Sequence, residues 1–270
     1  MQPFLKWPGG KRWLISKYSM IFPTEYNTYL EPFLGGGSAF FYLTPKQAIV
    51  SDINRDLINT YQIMRNSPVE LSNILIKHQE NHSAEYYYKI RNEVSQDTIE
   101  RAARFLYLNR TCFNGMYRVN HDGIFNVPIG TRSRFVEDID LFEQYSQVLK
   151  KAHIRSQDFT ETIRQAGDKD LVFADPPYAI ASKQNSFIKY NDKLFSWKDQ
   201  SRLLKALVKA RDRGALVICT NAFYPQLKEM YERNDFYTYS LNRFSSISGN
   251  SAGRGSLEEL LITSFPVKFD

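Results

Sequence analysis

Asp175-Pro176-Pro177-Tyr178 follows the apolar run Leu171-Val172-Phe173-Ala174. The tetrad therefore stands just beyond the carboxyl end of a predicted buried strand, where open α/β sheets hold their ligands. Two consecutive prolines fix φ and remove two backbone donors, leaving carbonyl oxygens as acceptors beside a carboxylate and an aromatic face. That set suits an aromatic amine. Such an amine delocalises its lone pair into the ring, so it attacks a methyl sulfonium poorly until acceptors hold both hydrogens and favour a pyramidal nitrogen. Asp175 and the Pro176 carbonyl are the acceptors for that task, and Tyr178 is placed to stack on a base drawn out of a duplex. The plainer alternative is a Pro-Pro turn packed by Tyr178, which does not by itself call for a carboxylate at the strand end.

A second constellation is Glu31-Pro32-Phe33-Leu34-Gly35-Gly36-Gly37-Ser38-Ala39, between a predicted strand and a predicted helix. Glycines there let the backbone turn tightly and approach a ligand closely, although a Gly-rich turn without a ligand has the same composition. Asp52 ends the next apolar strand, where a carboxylate can accept both hydroxyls of a ribose. Gly9-Gly10-Lys11-Arg12 lacks the upstream glycine and the Ser or Thr of a P-loop, so the ligand expected is a nucleoside without phosphates.

The elements that must position these residues follow from periodicity. Up to about Asn54 the chain reads as a helix from Lys11 to Phe22 and strands near Thr28 to Glu31 and Ala48 to Ser51, a nucleotide-binding βαβ pattern. From Arg55 to Lys150 the apolar spacing is helical, ending in Tyr117 to Val119 and Ile124 to Val127 around Asn120-His121-Asp122-Gly123, a hairpin signal. Strand candidates Leu171 to Ala174, Ala215 to Cys219 and Glu259 to Thr263, with a helix over 199–213, return the chain to α/β character. With 270 residues, 43% hydrophobic and 24% charged, the chain is long enough for one α/β core and a modest accessory domain. The net charge of +6 favours polyanionic partners. Cys112 and Cys219 show neither disulfide-framework nor metal-ligand spacing. The Trp-Pro-Gly-Gly break near the amino terminus and the absence of eighteen successive apolar residues argue against a signal peptide and a membrane span, so a cytoplasmic location is expected.

Phe4-Leu5-Lys6-Trp7-Pro8-Gly9-Gly10-Lys11, Glu31 to Phe40, Ser51-Asp52-Ile53-Asn54 and Asp175 to Tyr178 resemble, in that order, the motifs of Dam-type, alpha-group (D12 class) DNA adenine-N6 methyltransferases. The resemblance implies a Rossmann-like class I methyltransferase mixed sheet, with 1–54 and 151–270 as catalytic core and 55–150 as an inserted helical target-recognition domain carrying a β-hairpin. It implies methyl transfer from S-adenosylmethionine, with S-adenosylhomocysteine as product and no metal, to adenine N6 in double-stranded DNA after base flipping, within GATC. Catalysis would fall to Asp175, Pro176, Pro177 and Tyr178. Trp7, Lys11, Phe33, Gly35, Gly37, Asp52 and Asp175 would form the cofactor pocket, with Asp158 and Phe159 flanking its adenine.

Leu108 to Asn120 and Gly123 to Gly130 are similar to the family's recognition segment, and the resemblance implies DNA contacts from Lys6, Arg110, Phe113, Asn114, Met116, Arg118, Asn120, Asn126 and Pro128. Phe113, where a tyrosine is frequent in the family, would wedge into a base step. Asn114 would contact the vacated partner, Arg118 would read a guanine through its two acceptors, and Lys6 would touch the outer guanine. A buried Phe113 and an ion-paired Arg118 are the structural alternatives. Ala181 to Trp197 and Ser245 to Ser256, bordered by Arg243 and Arg254, are expected as loops closing over the base and the phosphates. The expected partner is duplex DNA, bound by a protein monomeric in solution with more than one copy able to load on one DNA. The settings are restriction–modification, phage-genome protection or housekeeping. RNA adenine or protein glutamine methylation remains open, as does a catalytically inert DNA-binding protein. A cytosine-C5 enzyme is disfavoured because neither cysteine lies in a Pro-Cys context.

Overall fold

The computed structural model describes residues 1–120, 122–136, 138–178, 195–244 and 256–269. In chain order its elements are α1 (Arg12–Tyr18), β1 (Tyr29–Glu31), α2 (Ser38–Leu43), β2 (Ala48–Asp52), α3 (Arg55–Asn66), α4 (Pro68–Glu80), α5 (Ala84–Asn92), α6 (Thr98–Thr111), α7 (Phe142–Leu149), β3 (Ala152–Ser156), α8 (Phe159–Ile163), β4 (Leu171–Ala174), α9 (Trp197–Asp212), β5 (Leu216–Ala222), α10 (Pro225–Glu232), β6 (Tyr237–Phe244) and β7 (Ser256–Thr263). Polar side chains start the helices where the sequence places them. Asn54 accepts the Leu57 N–H at 3.0 Å, Asp97 accepts those of Ile99 and Glu100, and Ser196 forms a capping box with Asp199.

The strands form one mixed sheet in the order β3-β2-β1-β4-β5-β7-β6, the Rossmann-like arrangement expected. β1 runs parallel to β2 on one side and to β4 on the other, and β4 runs parallel to β5. The chain thus leaves β1 in both directions, a topological switch point whose carboxyl-end crevice is the usual ligand position. β7 enters antiparallel between β5 and β6. All four residues of β4 are buried, as a central parallel strand requires.

Two strands were not foreseen. β3 buries only Ala152 and Ile154, and β6 alternates aromatic and polar residues. Both lie at sheet edges, where a strand needs no continuous apolar run. Among the described residues the expected hairpin shows one bridge, Val119 to Phe125, with the Asn126 N–H bonded to the Arg118 carbonyl at 3.2 Å. His121 lies outside the described residues, but the turn is closed by Gly123 N–H to the Asn120 carbonyl, 3.1 Å, and Asn120 N–H to the Ile124 carbonyl, 2.8 Å.

The chain packs as two compact units. One comprises Met1–Lys11, Leu34–Lys46 and Ser51–Ser156; the other comprises Arg12–Phe33, Gln47–Val50 and Gln157–Asp270. In the first, Phe4 packs its ring on Tyr61 at 5.1 Å and Tyr145 at 5.2 Å, and α6 buries Ala102, Ala103, Leu106 and Tyr107. In the second, Leu30, Val172, Val217, Leu260 and Ile262 of the sheet meet Leu203 and Leu207 of α9 and Tyr231 of α10. Each large apolar side chain so buried contributes roughly 1.5–3 kcal/mol. Among the described residues no helix is long and apolar enough to cross a membrane.

Candidate active site

In the second unit, β4 delivers Asp175 at its carboxyl end, with Pro176 buried, Pro177 exposed and Tyr178 partly buried. Asp175 Oδ1 accepts the Thr220 hydroxyl at 2.7 Å. Nearby, burial first and then the Glu31 and Asp175 carboxylates push the Tyr29 phenol well above its ordinary range. Tyr29 therefore stays a neutral donor, to Glu31 Oε2 at 2.8 Å. Phe33, which follows β1, stacks on Phe159 at 5.2 Å and meets the edge of Phe195 at 5.6 Å. The Arg202 guanidinium caps Phe159 at 4.8 Å. These rings make an apolar, flat-sided wall suited to a heteroaromatic ring.

Asp158 is placed differently from Phe159, although the two were expected together. It caps α8 through the Thr160 N–H at 2.9 Å and forms a two-oxygen ion pair with Arg202, both contacts 2.9 Å. Burial alone would raise its carboxyl, but the bonds from Thr160 and Arg202 outweigh that and hold it below its ordinary value. Its side chain braces the wall while remaining partly exposed beside Phe159. Deeper in this unit Asn221 donates to Gln200 Oε1 at 3.1 Å, while the buried Gln200 Nε2 has no partner among the described residues.

In the first unit, the Leu34 N–H bonds to the Ser51 carbonyl at 2.9 Å and Gly37 N–H returns to Leu34 at 2.7 Å, folding the loop back on the end of β2. Gly35 has φ +47, and a Cβ there would lie 2.6 Å from Trp7 Cδ1, so both conformation and contact require glycine. Asp52 Oδ2 accepts Gly35 N–H and Oδ1 accepts Asn54 N–H, both at 3.0 Å. Burial raises the Asp52 carboxyl above its ordinary value, with the N–H bonds opposing. Tyr61, unforeseen, donates its hydroxyl to the Gly35 carbonyl at 3.0 Å. Trp7 stacks on Tyr117 at 4.8 Å, and the Nζ of buried Lys11 donates to the Gly9 carbonyl at 3.1 Å.

The same unit holds the expected recognition residues. Asn109, buried on α6, clasps the Lys6 backbone in both directions, accepting its N–H at 3.0 Å and donating to its carbonyl at 2.7 Å. Gly115, φ +63, leaves the space that the Lys6 stem occupies. Phe113 is 51% exposed in a short turn with Asn114, so the alternative of a buried Phe113 does not hold. Arg118 is exposed and bonds no carboxylate among the described residues. It donates to Asn126 Oδ1 at 2.8 Å and to the Asn126 carbonyl at 3.2 Å. Asn120 Oδ1 holds the turn through the Asp122 and Ile124 N–H groups. Met116 is half-buried and Pro128 exposed.

Arg110 departs from expectation. It is 5% exposed, pairs with both Asp138 oxygens at 2.6 and 3.0 Å, and donates to the Phe135 and Phe4 carbonyls. A guanidinium so enclosed is a strut of this unit, and pulling it out would strand a buried charge. Enclosed in this way, Arg110 is not available to contact DNA as expected. The loops expected to close over base and phosphates fall mainly on 179–194 and 245–255, outside the described residues.

A family model described as D12 class N6 adenine-specific DNA methyltransferase matches residues 7–249. The chain is 36% identical to the Type II methyltransferase M1.LlaDCHI of Lactococcus lactis subsp. cremoris, over 98% of this chain and 96% of that one. It is 33% identical to the Type II methyltransferase M.MjaIII of Methanocaldococcus jannaschii, over 98% and 99%. With the DNA adenine methylase of Escherichia coli K12 it shares 33% identity over 96% and 93%.

Proposed function

The chain belongs to the D12 class of N6 adenine-specific DNA methyltransferases, and from that premise we propose that it draws one adenine out of duplex DNA, within GATC, and methylates N6 using S-adenosylmethionine. Membership in a DNA adenine-specific class favours this reading over RNA adenine or protein glutamine methylation, and the intact Asp175-Pro176-Pro177-Tyr178 tetrad favours it over a catalytically inert DNA-binding protein. The Type II names of two relatives favour a partnership with a restriction nuclease.

The residues present fit that cofactor. The Asp52 carboxylate holds the Gly35 N–H on one oxygen and the Asn54 N–H on the other, and its remaining acceptor capacity suits a ribose hydroxyl. Within the first unit, Trp7, Lys11, Gly35 and Gly37 are assigned to the cofactor with Asp52; within the second, Phe33, Asp158, Phe159 and Asp175 are assigned to it, the stacked Phe33 and Phe159 rings offering a flat face to an adenine. When bound, S-adenosylmethionine supplies an electrophilic methyl on a cationic sulfur and departs as S-adenosylhomocysteine. Asp175 accepts one N6–H and the Pro176 carbonyl the other, turning the amine lone pair out of the ring. N6 forms the new bond with that pair, and its proton is shed toward Asp175. Pro177 holds the Pro176 carbonyl in place, and Tyr178 stacks on the extruded base.

In roles, 1–54 and 151–270 form the catalytic core and 55–150 the recognition domain. Phe113 enters the vacated step, Asn114 meets the orphaned partner, Arg118 reads a guanine and Lys6 the outer guanine, with Met116, Asn120, Asn126 and Pro128 lining the segment. In this reading the protein is a cytoplasmic monomer in solution, with more than one copy able to load on one DNA.

The observation that carries this reading is a carboxylate followed by two prolines and an aromatic at the carboxyl end of the strand beside the switch point. Expression in a host free of adenine methylation, with modified bases mapped across the genome, tests it. N6-methyladenine confined to GATC is expected, and purified protein that leaves every adenine unmodified in the presence of cofactor overturns it.

A further inference from the structure

Parallel pairing of β4 with β5 sets Ala174 opposite Cys219, so one step further along both strands Asp175 and Thr220 emerge side by side. Thr220 is 1% exposed, in a strand otherwise buried through Val217, Ile218 and Cys219. A hydroxyl there costs stability unless it is hydrogen-bonded, whereas valine would fill the same β-branched shape. The bond it makes goes to Asp175 Oδ1, 2.7 Å away. The Thr220 hydroxyl is the donor and the Asp175 oxygen the acceptor.

That bond has a mechanical consequence. The terminal torsion of an aspartate is broad and poorly fixed by packing, yet the acceptor of an amine hydrogen must lie in one plane to turn the lone pair outward. The strand end on which Thr220 stands is itself tied down, Asn221 donating to Gln200 and accepting the Ala222 N–H at 2.9 Å. We propose that Thr220 is a positioning residue for methyl transfer, its hydroxyl holding the Asp175 carboxylate in the plane that meets the adenine amine. This rests on the assignment of Asp175 made above.

The test compares full-length Thr220→Val and Thr220→Ser with wild type. Single-turnover methyl transfer is measured on the duplex site mapped in vivo at saturating S-adenosylmethionine, alongside dissociation constants for cofactor and DNA and the melting temperature. Thr220→Val is expected to slow the transfer step roughly 10- to 100-fold, the cost of a misplaced reacting group. Both dissociation constants and the melting temperature stay at wild-type values, and Thr220→Ser restores the rate to within a few-fold. A wild-type rate in Thr220→Val overturns the proposal. So does an equal loss in both variants, or a loss that tracks a lowered melting temperature, because each marks a packing role. Asp175→Ala in the same assay separates the two layers. If it still methylates, the assignment of Asp175 is at fault; if it is inactive while Thr220→Val is unimpaired, only the positioning role fails.

Discussion

Arg110 and Arg118 are the same residue type in the same segment, and their fates differ. Arg110 sits on the last turn of α6, where helical periodicity turns it inward to Asp138, whereas Arg118 lies outside the helix and, among the described residues, is steadied by Asn126. A guanidinium held by a neutral amide keeps its charge and its remaining donors for a guanine. Arg118→Ala should therefore weaken discrimination at one guanine by about 1–3 kcal/mol, seen by comparing binding to duplexes altered at single positions; an equal loss on every sequence would make it a phosphate contact. Gly35 is the other residue on which much turns. Gly35→Ala places a methyl against Trp7 in a left-handed conformation and should destabilise the protein by roughly 2 kcal/mol or more, together with a loss of cofactor affinity. Denaturant melts and cofactor titration read the two effects separately.

At the scale of elements, α4, α5 and α6 carry a shared aromatic and histidine cluster. His78 stacks on Tyr107 at 4.8 Å and bonds Tyr86 at 2.8 Å. Burial lowers its pKa from 6.5 to about 4, with the Glu100 charge opposing. Because the folded state resists protonation and the unfolded chain does not, stability should fall as pH drops from 6.5 toward 4, by on the order of 3 kcal/mol in all. Thermal melts across that window should show the slope, and His78→Phe should flatten it. The strands show how far pattern reading reaches. β4 was legible to the residue because burial on both faces demands an unbroken apolar run. β3 and β6 were not, since an edge strand's partners are supplied by the fold and leave a weaker mark on composition.

Over the whole molecule, target reading and amine chemistry draw on different stretches of chain, so they should be separable. Asp175→Ala is expected to abolish methyl transfer while DNA affinity largely survives, since the carboxylate acts on the base and not on the backbone; tritium transfer and DNA titration on one preparation check this. The sequence by itself determined the strand-end tetrad, the glycine loop, the acidic end of β2 and the family they announce, because each is a run of neighbouring residues whose conformation and burial are set locally. Only the tertiary structure decided that Thr220 holds Asp175, that Asn109 clasps Lys6, that Asp158 belongs to Arg202 and that Arg110 is enclosed. Those pairs lie far apart along the chain, and a side chain's hydrogen-bond partner depends on strand register and helix rotation, which no spacing in the sequence encodes.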